Sequence, residues 1–491
     1  MSYASSSPRL KAIWLALALM LSFGTGATRG QQPASARQAR QHYDKGVELL
    51  GGRQVDAAIA ELREAVRLDP DNAEAHSYLG YAFGVKGQLK ESAEEFEAAV
   101  RLKPDFSEGY YYLGTARWFT GNTQGAVVAL KTAARLMPNH ADAHYYLGLA
   151  LQKSGDLTGA IGEFKAAVNL SPETVEPRHA LGLALQQDED LDEAIEAFRE
   201  VIRLKPDFVQ AHNDLGLALV EKRDPDGAIA EFNAALRLEP TNTVSLHNLG
   251  MAFIQKGDFA AAVAQYRRLL ALAPDDAEAH YNLALALKGR DELDEAVSEL
   301  RRATALQPSM PEAHYTLGVI RLQQSKLAEA AIAFRAAVAA RKDYAEAHYA
   351  LGTVLQQQGD AVGAIAAFRE ALRYAPDAPE IHNTLGTALR QKGEAEAARV
   401  EFQEAARLNK LKSDRQAAVF ALNTGVARLK EGDADAAVER LEAAVKLDPK
   451  NAQAFYQLAR AYQQKGQKAA ALSAYQKAKE LDPRTKPLPQ N

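Results

Sequence analysis

A chain of 491 residues, 25% charged and 47% hydrophobic, has the length of roughly three or four ordinary domains and the composition of a soluble helical protein. Its 58 Lys and Arg against 63 Asp and Glu give a net charge of −5 with no basic block, which excludes a phosphate-neutralising surface and, with it, a nucleic-acid partner. No cysteine occurs, so disulfides, thiolate metal sites and a lipid-modified cysteine anchor are excluded too.

The chain opens with Arg9 and Lys11, then an apolar run from Ala12 to Leu21, then the small residues Gly24, Gly26 and Ala27. The run is well short of the ~20 residues a membrane-spanning helix needs. Cations, a short apolar stretch and a small-residue exit predict a signal peptide over residues 1–27. The mature protein is then expected to be exported, periplasmic or secreted, with no membrane span once the signal is removed. Cleavage takes away two cations and no acid, moving the net charge to −7. A short linker, residues 28–38, follows.

From residue 39 the sequence repeats. Pro70, Pro104, Pro138, Pro172, Pro206, Pro240, Pro274 and Pro308 recur every 34 residues, and the register continues through Lys342, Pro376 and Lys410. After five additional residues, 413–417, it resumes at Pro449 and Pro483. This gives units 1–11 over 39–412, an insertion expected to act as a bend or hinge, units 12–13 over 418–485, and a tail, 486–491. With the proline at position 32 of each unit, leucine holds position 7 and glycine position 8 in eleven of thirteen units. Alanine dominates positions 20 and 27, and Phe, Leu or Tyr fills position 24 throughout.

Positions 4, 7, 8 and 11 have the spacing of one apolar helical stripe, and positions 20, 24 and 27 form a second. Between them stand turn signals such as Ser154-Gly155-Asp156, a glycine to end one helix and an aspartate to cap the next. Each position-8 glycine costs about 1 kcal/mol of helix propensity. That loss implies a close helix–helix approach, with the alanines at 20 and 27 as the expected small partners. The prediction is an all-α array of antiparallel helix pairs.

The stretch from Ala143 to Pro172 carries an L-G pair, a following large residue, then Ala, Phe and Pro. It resembles the tetratricopeptide repeat, and thirteen copies in register make the resemblance specific. It implies a right-handed superhelical solenoid whose first helices line a concave peptide-binding groove. Position 4 departs from the family pattern, being histidine in eight units: His42, His76, His144, His212, His280, His314, His348 and His382. One per repeat, these fill a large packing position better than they converge on a metal. Neither a metal nor any other cofactor is expected.

No nucleophile, phosphate loop or paired-acid constellation appears, so the expectation is a binding scaffold and not an enzyme. Positions 2, 5, 9 and 12 share the other face of the first helix, which the resemblance makes the groove. The candidate binding residues there are Tyr81, Tyr111, Tyr145, Leu149, Gln152, Tyr281, Tyr315 and Tyr349, with the pair Trp118 and Phe119 as the strongest single feature. The expected partner is a protein or peptide segment. The alternative is a carbohydrate adaptor of exopolysaccharide or cell-wall assembly, in which tyrosine faces stack on sugar rings and glutamines bind hydroxyls.

Overall fold

The structure, a computed structural model, describes residues 34–489. The expected signal peptide therefore lies outside the described residues. Among them are 25 helices and no strand. They form two compact bodies that divide after Pro274. The first runs from α1 (Ala34–Gly51) to α14 (Phe259–Leu272), and the second from α15 (Ala277–Gly289) to α25 (Lys468–Leu481). Each body is a solenoid of helix pairs, repeats 1–7 in one and 8–13 in the other.

The fourth repeat shows how the sequence makes a pair, α7 (Ala141–Ser154) and α8 (Leu157–Leu170). Gly155 closes α7 at φ +91°, a left-handed conformation that glycine adopts without a Cβ clash. Asp156 then accepts a hydrogen bond from the Gly159 amide at 2.9 Å and caps α8. Helix α8 ends at Leu170, two residues before Pro172, which has no amide hydrogen with which to continue it.

The position-8 glycine does permit close approach, but its partner is not the one expected. A Cβ on Gly148 would lie 2.6 Å from the Phe164 ring, and Gly182, Gly216, Gly250, Gly318 and Gly352 meet the position-24 aromatic of their own repeats in the same way. The aromatic is too large to pack there unless the facing position has no side chain. The alanines at 20 and 27 fill separate sites; Ala160 and Ala167 are fully buried.

The histidines at position 4 do more than fill space. His76 Nδ1 lies 2.6 Å from Glu95 of its own repeat, and its Nε2 lies 3.0 Å from the Pro70 carbonyl oxygen of the repeat before. His144 does the same with Glu163 and Pro138, His212 with Glu231 and Pro206, and His382 with Glu401 and Pro376. Each ring thus joins a second helix to the preceding turn, using the proline whose period reveals the repeat.

The second body departs from regularity once. Repeat 11 begins normally with α21 (Pro379–Gln391), but α22 (Ala395–Lys430) is a single 36-residue helix. It serves as the second helix of repeat 11 and continues as the first helix of repeat 12. The expected bend at 413–417 is replaced by continuous helix. The segment Ser413-Asp-Arg-Gln-Ala417 holds no proline or glycine, and Lys410 stands where proline would have stopped the helix. Along α22 the buried core divides, one cluster ending at Ala398 with Phe402 packed on it, a small one gathering Ala421, Ala444 and Ala454, and another beginning at Leu429.

Candidate binding face

The face shared by positions 2, 5, 9 and 12 is built from two ladders running from repeat to repeat. At position 12, Gln152 donates to Gln187 at 3.2 Å, Gln186 to Glu221 at 2.6 Å and Gln356 to Gln391 at 3.0 Å, each partner standing at position 13 of the next repeat. At position 5, His179 Nε2 meets Asp214 at 2.7 Å and the Tyr349 hydroxyl meets Thr384 at 3.3 Å, each partner at position 6 of the next repeat. Both ladders have a spacing of 35 residues. That complementarity is legible in the sequence once the period is known, and residue-by-residue reading misses it.

Packing between repeats covers several of the tyrosines on this face. Tyr111 is only 5% exposed and Tyr81 8%, and both rings belong to the core of repeats 2–4. They are packing residues and not groove lining, because Tyr112, Tyr146 and His140 close around Tyr111 at 5.0, 6.3 and 4.8 Å. Burial pushes the Tyr111 hydroxyl far above its ordinary pKa. Tyr145 is half-buried against Tyr146 and Phe164. In the second body Tyr281, Tyr315 and Tyr349 are half-buried: Tyr281 is hydrogen-bonded to Thr316, and Tyr315 lies 5.2 Å from Tyr344. Burial raises the pKa of both Tyr281 and Tyr315.

Trp118 and Phe119 end α5 (Ser107–Phe119), half-buried. Phe119 lies edge-on to Tyr146 at 6.0 Å, while the Lys153 ammonium sits 5.1 Å over the Trp118 ring. The indole thus has one face toward protein and a cation over it. Leu149 and Gln152 are half-buried on the next first helix, α7.

The largest apolar exposure on this face lies further along, in repeats 5–7 of the same body. Leu183 and Leu217 are each 36% exposed and Met251 43%, all at position 9. Repeat 7 adds Val244, 59% exposed at position 2, where most other repeats place an acid. Val244 and Met251 are seven residues apart on α13 (Thr243–Lys256) and so share a face. The clue to Val244 in the sequence is the break in the acidic row, with Gln210 and Val244 in place of Glu176 and Glu278.

Comparison with known proteins agrees with this architecture. Family models described as "Tetratricopeptide repeat" match residues 43–105, 111–173, 179–243, 284–345, 349–415 and 452–485, and one described as "TPR repeat" matches 250–289 and 425–466. The chain belongs to the tetratricopeptide repeat family. Such repeats are typically non-catalytic and support protein–protein interaction. Solved structures similar to this tetratricopeptide-repeat chain include YrrB, "a TPR protein with an unusual peptide-binding site", at 22% identity over 38% of this chain and 96% of that one, TM-score 0.36. MamA of Desulfovibrio magneticus RS-1 matches at 28% identity over 35% and 96%, TM-score 0.33. PilF of Pseudomonas aeruginosa matches at 22% over 42% and 94%, TM-score 0.36. Comparison with curated proteins gives no match. No helix of the tetratricopeptide array, among the described residues, is long and apolar enough to cross a membrane.

Proposed function

We propose that this chain is an exported scaffold that binds a protein segment along the first helices of repeats 3–7. The observation that carries the reading is the row Leu183, Leu217, Met251 and Val244, large apolar side chains left exposed on a face where Gln152–Gln187, Gln186–Glu221 and His179–Asp214 are hydrogen-bonded while Asn213 Oδ1 and Asn248 Nδ2 have no partner among the described residues. Exposed apolar groups in a continuous row favour a partner that covers them. The Gln–Gln and Gln–Glu pairs beside the row each hold one hydrogen bond, and their remaining amide and carboxylate atoms, with Asn213 and Asn248, are left for the polar backbone of a bound peptide. Trp118 and Leu149 extend the same face toward repeat 3. Export rests on Arg9, Lys11 and the apolar run that follows them.

The test is selection of binding peptides from a displayed random library on the full mature chain. Binding is then remeasured with Leu217→Asp and Met251→Asp together. Peptides that bind both proteins equally would sink the groove reading, and ligands that survive only as glycans would favour the carbohydrate adaptor. Export is checked separately by intact mass from the native host: retention of Met1 in a cytoplasmic pool would refute it.

A further inference from the structure

In regular repeats, positions 3 and 10 of the first helix are the most thoroughly covered. Ala75, Ala143, Ala211, Ala279, Ala313, Ala347 and Ala454 at position 3 are fully buried, as are Ala150, Ala218, Ala286, Val354 and Ala461 at position 10. Position 3 packs against the second helix of the preceding repeat, where a Cβ on Gly109 would stand 2.9 Å from Val100 at position 28. Repeat 12 breaks this rule at both places. Phe420, its position 3, is 71% exposed, the highest value of any large hydrophobic residue described, and Ala427, its position 10, is exposed.

The matching surface on repeat 11 is bare as well. Phe402 at position 24 is partly exposed, whereas its counterparts Phe334 and Phe368 are fully buried, and Ala406 at position 28 is exposed. These are the two halves of one ordinary stacking interface. Their sizes are complementary in the reverse sense to most of the array. At most other junctions a larger residue at 28 precedes a smaller one at 3, as with Val100 and Gly109 or Val338 and Ala347, with Ala134 and Ala143 or Leu372 and Ile381 as exceptions, while here a small Ala406 precedes a large Phe420. Exchanging large for small across a contact keeps its volume filled.

Within one chain these halves do not meet. Ala406 and Phe420 are fourteen residues apart on the continuous helix α22, so their backbones are about 21 Å apart along its axis. We infer that a second copy of this chain supplies the missing half. The repeat-12 face of one protomer stacks on the repeat-11 face of its partner and the reverse, a two-fold exchange of repeats 12–13 across paired α22 helices. The connector Asn409–Ala417, exposed except for a half-buried Asp414 and carrying Lys410, Lys412 and Arg415, is the solvated crossover. The occupant follows from continuity: the surface on each side is a tetratricopeptide stacking face, which is completed by the next tetratricopeptide helix and not by an unrelated ligand.

The absence of native cysteine gives a direct test. The double variant Ala406→Cys with Phe420→Cys, in the full mature chain, is oxidised and run without reductant. A covalent dimer that reverts with reductant is the expected result, since the two thiols of one continuous helix are far beyond disulfide reach. A disulfide within one chain would show instead that the connector bends and the protein closes on itself, which overturns the exchange. No disulfide at all overturns it equally. In parallel, sedimentation equilibrium of the unmodified chain should show a concentration-dependent dimer, and Phe420→Glu should raise its dissociation constant at least tenfold while helicity is kept. A strict monomer, or a dimer indifferent to Phe420→Glu, refutes the proposal.

Discussion

Repeats 2–4 and repeats 5–7 of the first body share one backbone pattern yet treat the same helix face in opposite ways. In repeats 2–4 the face is crowded with rings: Phe96 stacks on Tyr112 at 5.3 Å, Tyr111 meets Tyr112 edge-on, and Tyr145 meets Tyr146 at 5.2 Å. These rings cover one another. In repeats 5–7 position 5 holds His179, Asn213 and His247, and the leucines and methionine at position 9 are left partly uncovered. Aromatic density therefore marks cohesion between repeats, whereas the proposed binding face is centred where apolar groups lack a large neighbour.

The largest effect is expected from Tyr111→Ala. If Tyr111 is core, the change should cost about 3–5 kcal/mol, in the range for truncating a large buried aromatic. Thermal unfolding would then shift well down, with loss concentrated in the first body. A stable, fully helical Tyr111→Ala protein that has merely lost its ligand would place the Tyr111 ring itself in the proposed binding face.

Next in size is the exposed row. Leu217→Asp with Met251→Asp should cost about 2 kcal/mol or more of peptide binding if these residues are anchors. It should leave circular dichroism unchanged, because neither side chain is buried in the core. Tyr111 and Leu217 together thus form a crossed test: one should report on folding, the other on binding.

The array and its period are legible from the sequence because proline, glycine and aspartate punctuate every 34 residues and each has one local conformational consequence. Helix starts at 73, 107, 141 and so on follow directly. Which tyrosines line a groove is not legible in the same way. Tyr81 and Tyr145 both belong to one helix face by spacing, yet Tyr81 is buried and Tyr145 half-buried, since coverage depends on neighbours 34 or 35 residues away. The insertion at 413–417 shows the same limit. Five additional residues signal irregularity, but whether they bend or extend a helix depends on what packs against each end.

A smaller effect separates repeat 2 from repeat 7 by pH. His76 in repeat 2 has its pKa raised, first by the Glu95 hydrogen bond and then by the Pro70 carbonyl, against the opposing pull of burial. A neutral imidazole has one N–H for two acceptors, and the imidazolium has two. The protonated form is therefore stabilised in the fold. Its contribution, on the order of 1 kcal/mol or less for a partly solvated pair, is complete below pH 6.5 and is lost as pH rises through the higher folded pKa. Repeat 7 carries the fully buried Leu246 at the equivalent position. His76→Leu should flatten the corresponding part of the stability–pH curve. An unchanged curve would mean that the clamp does not couple to protonation.

The smallest expected effect concerns how the helix pairs of repeats 5–7 are closed. Repeat 7 turns on Gly257 at φ +82°, but repeats 5 and 6 turn on Glu189 and Arg223, at φ +64° and +61°. A residue with a Cβ pays roughly 1–2 kcal/mol for the left-handed conformation, and glycine does not. Glycine also widens the unfolded ensemble, which returns about 0.4–1 kcal/mol of that gain. The difference favours Arg223→Gly by about 0.5 kcal/mol. The Arg223 backbone amide still donates to Val220 at 3.0 Å after the change, so the turn itself is retained. Melting temperature should rise slightly and peptide affinity should not move, because the turn lies outside positions 2, 5, 9 and 12. If affinity falls while stability rises, the turn contributes to holding Leu217 outward, and the separation between scaffold and binding face in repeats 5–7 would have to be redrawn.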